Sequence, residues 1–87
     1  MSVYVDPLFD HNGSATFRWK RSCHMYADTL PELHAMAAQI GMKRSWFQDK
    51  ETLPHYDLVP IRRFAAVRAG AIEHSREEMV RFMRAQR

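Results

Sequence analysis

The chain has 87 residues, 46% hydrophobic, 11% aromatic and 26% charged; that suits one domain over residues 1–87, leaves no room for a second core and is too apolar for disorder. A net charge of +3 permits a nucleic-acid partner without requiring one. The apolar runs are too short to cross a bilayer, the N-terminus lacks a signal-peptide pattern, and a single cysteine, Cys23, rules out an intrachain disulfide, so a soluble cytoplasmic protein with no membrane partner is expected.

Val3 and Val5 alternate with Tyr4 and Asp6 before Pro7, which reads as a short strand ending at a turn. Residues 10–15 form a turn cluster around Asn12-Gly13. Residues 16–28 are rich in aromatic and β-favouring side chains and read as a second strand, whole or broken, with Cys23–Ala27 as its core part. Thr29 and Glu32 have capping-box spacing, and a helix should run from there to about Ile40 and stop at Gly41. Its apolar stripe is Leu30, Leu33, Ala37 and Ile40.

The run at 44–48, RSWFQ, reads as a third strand, and 49–57 as a loop. A second helix is expected from about Pro60 to Ala69, with Ile61, Phe64, Ala65 and Arg68 near one side and Gly70 at its end. Residues 71–74 read either as a short strand or as a tight connection between helices. Ser75 and Glu78 form another capping box, opening a last helix whose inner face is Met79, Phe82 and Met83. The alternation predicts an α/β (or α+β) domain. In it, a small single-layer mixed sheet of three to four short strands packs with three helices. A mainly helical, helix-turn-helix-like domain is the alternative. Because so short a chain has a thin stability margin, a homodimer would be a common remedy.

Groups able to do chemistry cluster at element ends. Asp6 ends the first strand, His24 and Asp28 lie near the end of the second, and His34 sits one turn into the first helix. Gln48 ends the third strand, and His55, Tyr56 and Asp57 precede the second helix. Asp57 is expected at that helix's N-terminus, where it would cap the helix and aim His55 towards a pocket. Tyr56 should turn its ring to the core or pocket wall. His24, Asp28, His34, His55 and Asp57 together make a candidate divalent-metal set, since three N/O ligands plus water suit zinc or manganese. Their spacing matches no standard metal motif, and the chain has neither a Walker loop nor a GxGxxG. Cys23 and His24 are neighbours on a strand and point to opposite faces, which argues against a Cys–His nucleophile. Arg18, Trp19, Lys20 and Arg21 form a basic segment interleaved with aromatics, a composition used for phosphate contact and base stacking.

The segments VYVDPL, CHMYADTLPELHAMAAQIG, WFQ, PHYDL and RAGAIEHSREE resemble a family of short bacterial and phage proteins known only as a domain of unknown function. The resemblance implies a shared site, with the family's recurring His-Tyr-Asp falling on His55, Tyr56 and Asp57. The other recurring polar positions fall on Asp6, His24, Asp28, His34 and Gln48. It implies no activity. Two functions from different classes fit the sequence. The first is a binding module for a nucleotide-like or nucleic-acid ligand, with a pocket of His24, Asp28, His34, Gln48, His55, Tyr56 and Asp57. The second is a small metal-dependent phosphoester hydrolase. A structural or interaction protein without a chemical site is the third reading, so the sequence leaves enzyme status open.

Overall fold

The organising element is a seven-residue strand whose side chains alternate between two faces. In the computed structural model, which describes residues 2–10 and 21–86, Arg21–Ala27 forms this strand, β3. Cys23 and Met25 go to one face and Ser22, His24 and Tyr26 to the other, as the twofold period of a strand requires. β1 (Val3–Val5) pairs antiparallel with one edge of β3, with Val3 opposite Ala27 and Val5 opposite Met25. β2 (Phe9–Asp10) continues along that edge, with Phe9 opposite Ser22. β4 (Tyr56–Leu58) pairs antiparallel with the other edge, with His24 opposite Asp57. β5 (Ile72–Glu73) adds in parallel to the outer side of β1. Gln48 and His55 form an isolated bridge that extends the sheet beyond β4.

Between β1 and β2 the registers differ by one step. Asp6, Pro7 and Leu8 stand against only Cys23 and His24 of β3, which is the accounting of a β-bulge. Pro7 fits there because it has no N–H to leave unpaired. The carbonyl of Asp6 is diverted from the ladder and accepts from Nε of Arg63 at 3.0 Å. The Asp6 carboxylate takes its place, accepting the backbone N–H of His24 at 2.6 Å.

The core lies on the Cys23 face. Val3, Val5, Cys23, Met25, Tyr56 and Leu58 meet α1 (Leu30–Gln39) through Leu33, Met36, Ala37 and, just past its end, Ile40, and α2 (Pro60–Arg68) through Ala66. Thr29 caps α1 as its spacing predicts. Leu30 is 45% exposed and Met36 takes its expected inner place, because the 33-36-37-40 row is the one centred on the sheet. α2 departs further: Ile61 and Phe64 face outward, and Ala66 presses on the sheet. The helix is rolled so that Arg62 and Arg63 reach inward to backbone carbonyls of Ile40 and Asp6. α3 (Arg76–Ala85) opens with the full capping box of Ser75 and Glu78 and lays Phe82 on Tyr4 and Tyr26 on the second face.

Two expected local structures are corrected. Arg44–Trp46 is a 3₁₀ turn rather than a strand, and only Gln48 of that run pairs. Tyr56 and Asp57, expected in a loop, open the strand Tyr56–Leu58. The short strand at 72–73 rather than a helix-helix turn is present, and the resulting mixed sheet with three helices is the small α+β arrangement expected. No helix among the described residues is long and apolar enough to cross a membrane.

Candidate metal centre

On the second face of the sheet, the alternation of β3 and β4 brings His24 and Asp57 side by side as a cross-strand pair. His55, two residues before Asp57, lies on the same face by the same period. One nitrogen from each imidazole and one Asp57 oxygen all lie within 4.8 Å of one another. Nε2 of His55 is 3.3 Å from Oδ1 of Asp57, and the two imidazoles meet edge to face with centroids 4.8 Å apart.

Each member is held from behind. Nδ1 of His24 donates to Oδ2 of Asp6 at 2.9 Å, and Asp6 is fixed by the bulge that also gives it the His24 N–H. Nδ1 of His55 donates to the carbonyl of Leu53 at 2.7 Å. A carbonyl can only accept, so His55 carries its proton on Nδ1; a buried carboxylate imposes the same on His24. Both rings therefore keep Nε2 as the nitrogen able to ligate, in the outer-shell arrangement that metal-binding histidines use. The Gln48 side-chain amide donates to Oδ2 of Asp57 and leaves Oδ1 towards His55. Gln48 is itself placed by its two-bond bridge to the His55 backbone.

The electrostatics agree with this geometry. The hydrogen bond to Asp6 raises the His24 pKa above the ordinary imidazole value, with the Asp6 and Asp57 charges adding and burial opposing. The close approach of His55 holds Asp57 below the usual carboxylate value, against the upward pull of burial. His55 is 8% exposed as a residue, and the side chains of His24 and Asp57 are 27% and 36% exposed. The trio thus has one wall in the protein and one side open.

Such donors suit zinc or manganese. Bonds of about 2.1 Å in tetrahedral geometry set ligand atoms about 3.4 Å apart. The His55–Asp57 pair, at 3.3 Å, is already there.

The remaining candidates lie elsewhere. Asp28 accepts from the Ser2 N–H and the Tyr4 hydroxyl at the far end of β1. His34 is on α1, across the sheet, where its Nδ1 meets the Tyr56 hydroxyl at 2.9 Å and its ring meets Phe47 edge to face. Burial, helped by Arg44, lowers its pKa. The single pocket expected to gather His24, Asp28, His34, His55 and Asp57 is thus corrected: strand alternation sends Tyr56, and with it His34, to the core face. Tyr56 is fully buried with its hydroxyl satisfied. Asp57 does not cap α2; Val59 is the N-cap, without a side-chain bond, and Pro60 opens the helix. Arg18, Trp19 and Lys20 lie outside the described residues, and Arg21 is exposed at the start of β3.

Sequence reasoning missed the supporting roles of Arg62, Arg63 and His74. Nothing in an Arg-Arg pair distinguishes inward from outward arginines. His74 carries no sequence signal of its own, yet its Nδ1 is 2.9 Å from the Tyr26 hydroxyl and its ring stacks on Tyr4.

Comparison with curated proteins and with solved structures gives no match. The family model described as protein of unknown function (DUF4031) matches residues 3–86, nearly the whole chain and every residue of the trio, and the chain belongs to that family.

Proposed function

We propose that the chain is a divalent-metal-dependent hydrolase whose ion is held by His24, His55 and Asp57. The observation that carries this reading is the convergence of three donors whose histidines both have Nδ1 already bonded, to Asp6 and to Leu53. Isolated histidines on a sheet surface have no need of such backing. Three protein ligands leave positions for water and substrate, and an ion so held lowers the pKa of water. The chain's own part is to fix both tautomers, to hold Asp57 ionised and to keep one side of the site open. A cytoplasmic setting fits the lone, buried thiol of Cys23.

One observation favours a structural reading instead: among the described residues no buried side-chain nitrogen or oxygen lacks a partner. The experiment separates the two. Zinc, manganese and cobalt are titrated into the chelator-stripped protein, with His24→Ala and His55→Ala alongside. Hydrolysis of chromogenic phosphate and acetate esters is then followed with the ion present. We expect one ion per chain, lost in both variants, and turnover that chelator abolishes. A folded wild-type protein that binds none of these ions overturns the metal centre; an ion bound without turnover of any ester overturns the hydrolase.

A further inference from the structure

Beside Asp57 and Gln48 opens a cleft of about 400 Å³ whose walls include Trp46, Met42 and Arg62, a volume within the range of small-molecule sites. Trp46 is 46% exposed and is presented by the Arg44–Trp46 turn. Arg62 is set unusually firmly for a cation: Nη1 donates to the carbonyl of Ile40 at 2.5 Å. Gly41 makes room for it, since a Cβ there would stand 2.7 Å from that nitrogen. No carboxylate lies within ion-pair distance of Arg62 among the described residues, whereas its neighbour Arg63 is paired with Glu73. A guanidinium has five N–H donors, so most of those on Arg62 are free for a ligand. Lys43 holds its ammonium 5.6 Å from the Trp46 ring centre, and Arg44 lies 5.0 Å over Phe47. Neither has a carboxylate partner among the described residues.

Two cations without a carboxylate partner among the described residues, Lys43 over the exposed indole and Arg62 in the same cleft, next to a candidate metal centre, call for an anion carrying a flat ring. On the reading that His24, His55 and Asp57 hold an ion, we infer that the substrate is a nucleoside phosphoester. Its base stacks on Trp46, and its phosphate lies between Arg62 and the ion. Planar bidentate recognition of phosphate is what an arginine held by a carbonyl can offer, and base–aromatic stacking tolerates any base. In the reaction, the oxygen of water adds to phosphorus and the ester P–O bond breaks. One proton of the water passes to the leaving alcohol, and the products are that alcohol and a nucleotide. Without the ion, the negative charge of Asp57 faces the phosphate across the same cleft, so nucleotide binding should require metal.

The test uses the full chain, with zinc affinity measured first and the affinity for AMP measured by calorimetry with zinc and with chelator. Turnover of thymidine 5′-(p-nitrophenyl phosphate) is compared with that of bis(p-nitrophenyl) phosphate, which has no base. Trp46→Ala, Trp46→Phe and Arg62→Gln are measured in parallel; Trp46 is exposed enough for its loss to be borne by the fold. We expect AMP to bind only with zinc and Trp46→Ala to weaken it about tenfold, with Trp46→Phe recovering much of the loss. The preference for the base-bearing diester should fall in the same order, and Arg62→Gln should weaken AMP about tenfold while zinc affinity stays as in wild type. A twelve-residue thymidine oligonucleotide bound much more tightly than AMP assigns the site to single-stranded nucleic acid, and the reverse assigns it to free nucleotides. Zinc bound without AMP binding, or AMP affinity unchanged in Trp46→Ala and Arg62→Gln, overturns the nucleotide cleft alone. Failure of wild type to bind metal overturns the centre and the cleft together.

Discussion

Asp6→Asn is the sharpest perturbation of the centre, because Asp6 touches no ion and changes only how His24 is held. The carboxylate accepts twice, from the His24 backbone N–H at 2.6 Å and from its Nδ1 at 2.9 Å. An asparagine of the same size has one acceptor. The backbone N–H can only donate, so it claims the amide oxygen, and the amide nitrogen then faces Nδ1 as a donor. That forces the His24 proton onto Nε2, the nitrogen needed for ligation, so the substitution reverses the tautomer with little change of shape. Loss of an outer-shell partner of this kind typically costs 10–100-fold in metal affinity, or about 1.4–2.7 kcal/mol. The metal-free fold should also lose about 1.5–3 kcal/mol, the range for a hydrogen bond to a charged group, since Asp6 is only 4% exposed. Zinc affinity is read by competition with a chromophoric chelator, and stability by urea unfolding with chelator present. Zinc affinity in Asp6→Asn equal to wild type, in a folded protein, would refute the tautomer argument and with it the claim that Asp6 backs a ligand.

Gly41→Ala should destabilise the fold by about 1–3 kcal/mol, because φ is +81° and the added Cβ meets Arg62; urea midpoints check this, and a stabilised variant would contradict it. Burial pushes the Cys23 thiol up to about 12, so Ellman's reagent at pH 8 should label it only at the rate of unfolding. The metal-free protein should have a stability optimum in pH. The raised pKa of His24 gives a contribution complete below the unfolded imidazole value and lost as pH rises through the folded one. The lowered pKa of Asp57 gives a contribution present above the unfolded carboxylate value and lost as pH falls through the folded one. Urea titrations across pH 3–9 with chelator should show both flanks, and Asp6→Asn should flatten the alkaline one.

The elements with strong local signals were legible: the capped helices at Thr29 and Ser75, the Cys23–Ala27 strand, the stop at Gly41. The errors share one cause, which is that tertiary pairing decides short segments. HYDLV alternates polar and apolar between Pro54 and Pro60, a twofold period, yet five residues flanked by prolines look equally like a loop. Its strand character comes from β3, which offers it an open edge. RSWFQ has β-favouring side chains but lies too near the end of α1 to pair over its length. The same uncertainty decided the site. With residues 55–57 read as loop, His34 and Asp28 were as near to Asp57 as His24 was. Once β4 is placed in register, alternation alone selects His24, His55 and Asp57, and sends Tyr56 to meet His34. The inward roll of α2 left no trace in its sequence, because inward arginines are justified only by carbonyls far away in the chain.

The parallel pairing of β5 with β1 joins Tyr4 to Ile72, the longest reach in the sheet and the last strand pairing that a chain made from its N-terminus can form. Every group of the candidate centre, from Asp6 to Asp57, is synthesised before that strand. Long-range closure is slow relative to local pairing, so a nascent chain presents its donors on β3 and β4 while the outer edge of β1 is still open. An ion captured at that stage would tie β4 to β3 before α2 crosses the sheet. The availability of metal during synthesis, and not only afterwards, would then govern how much of the protein reaches its native state.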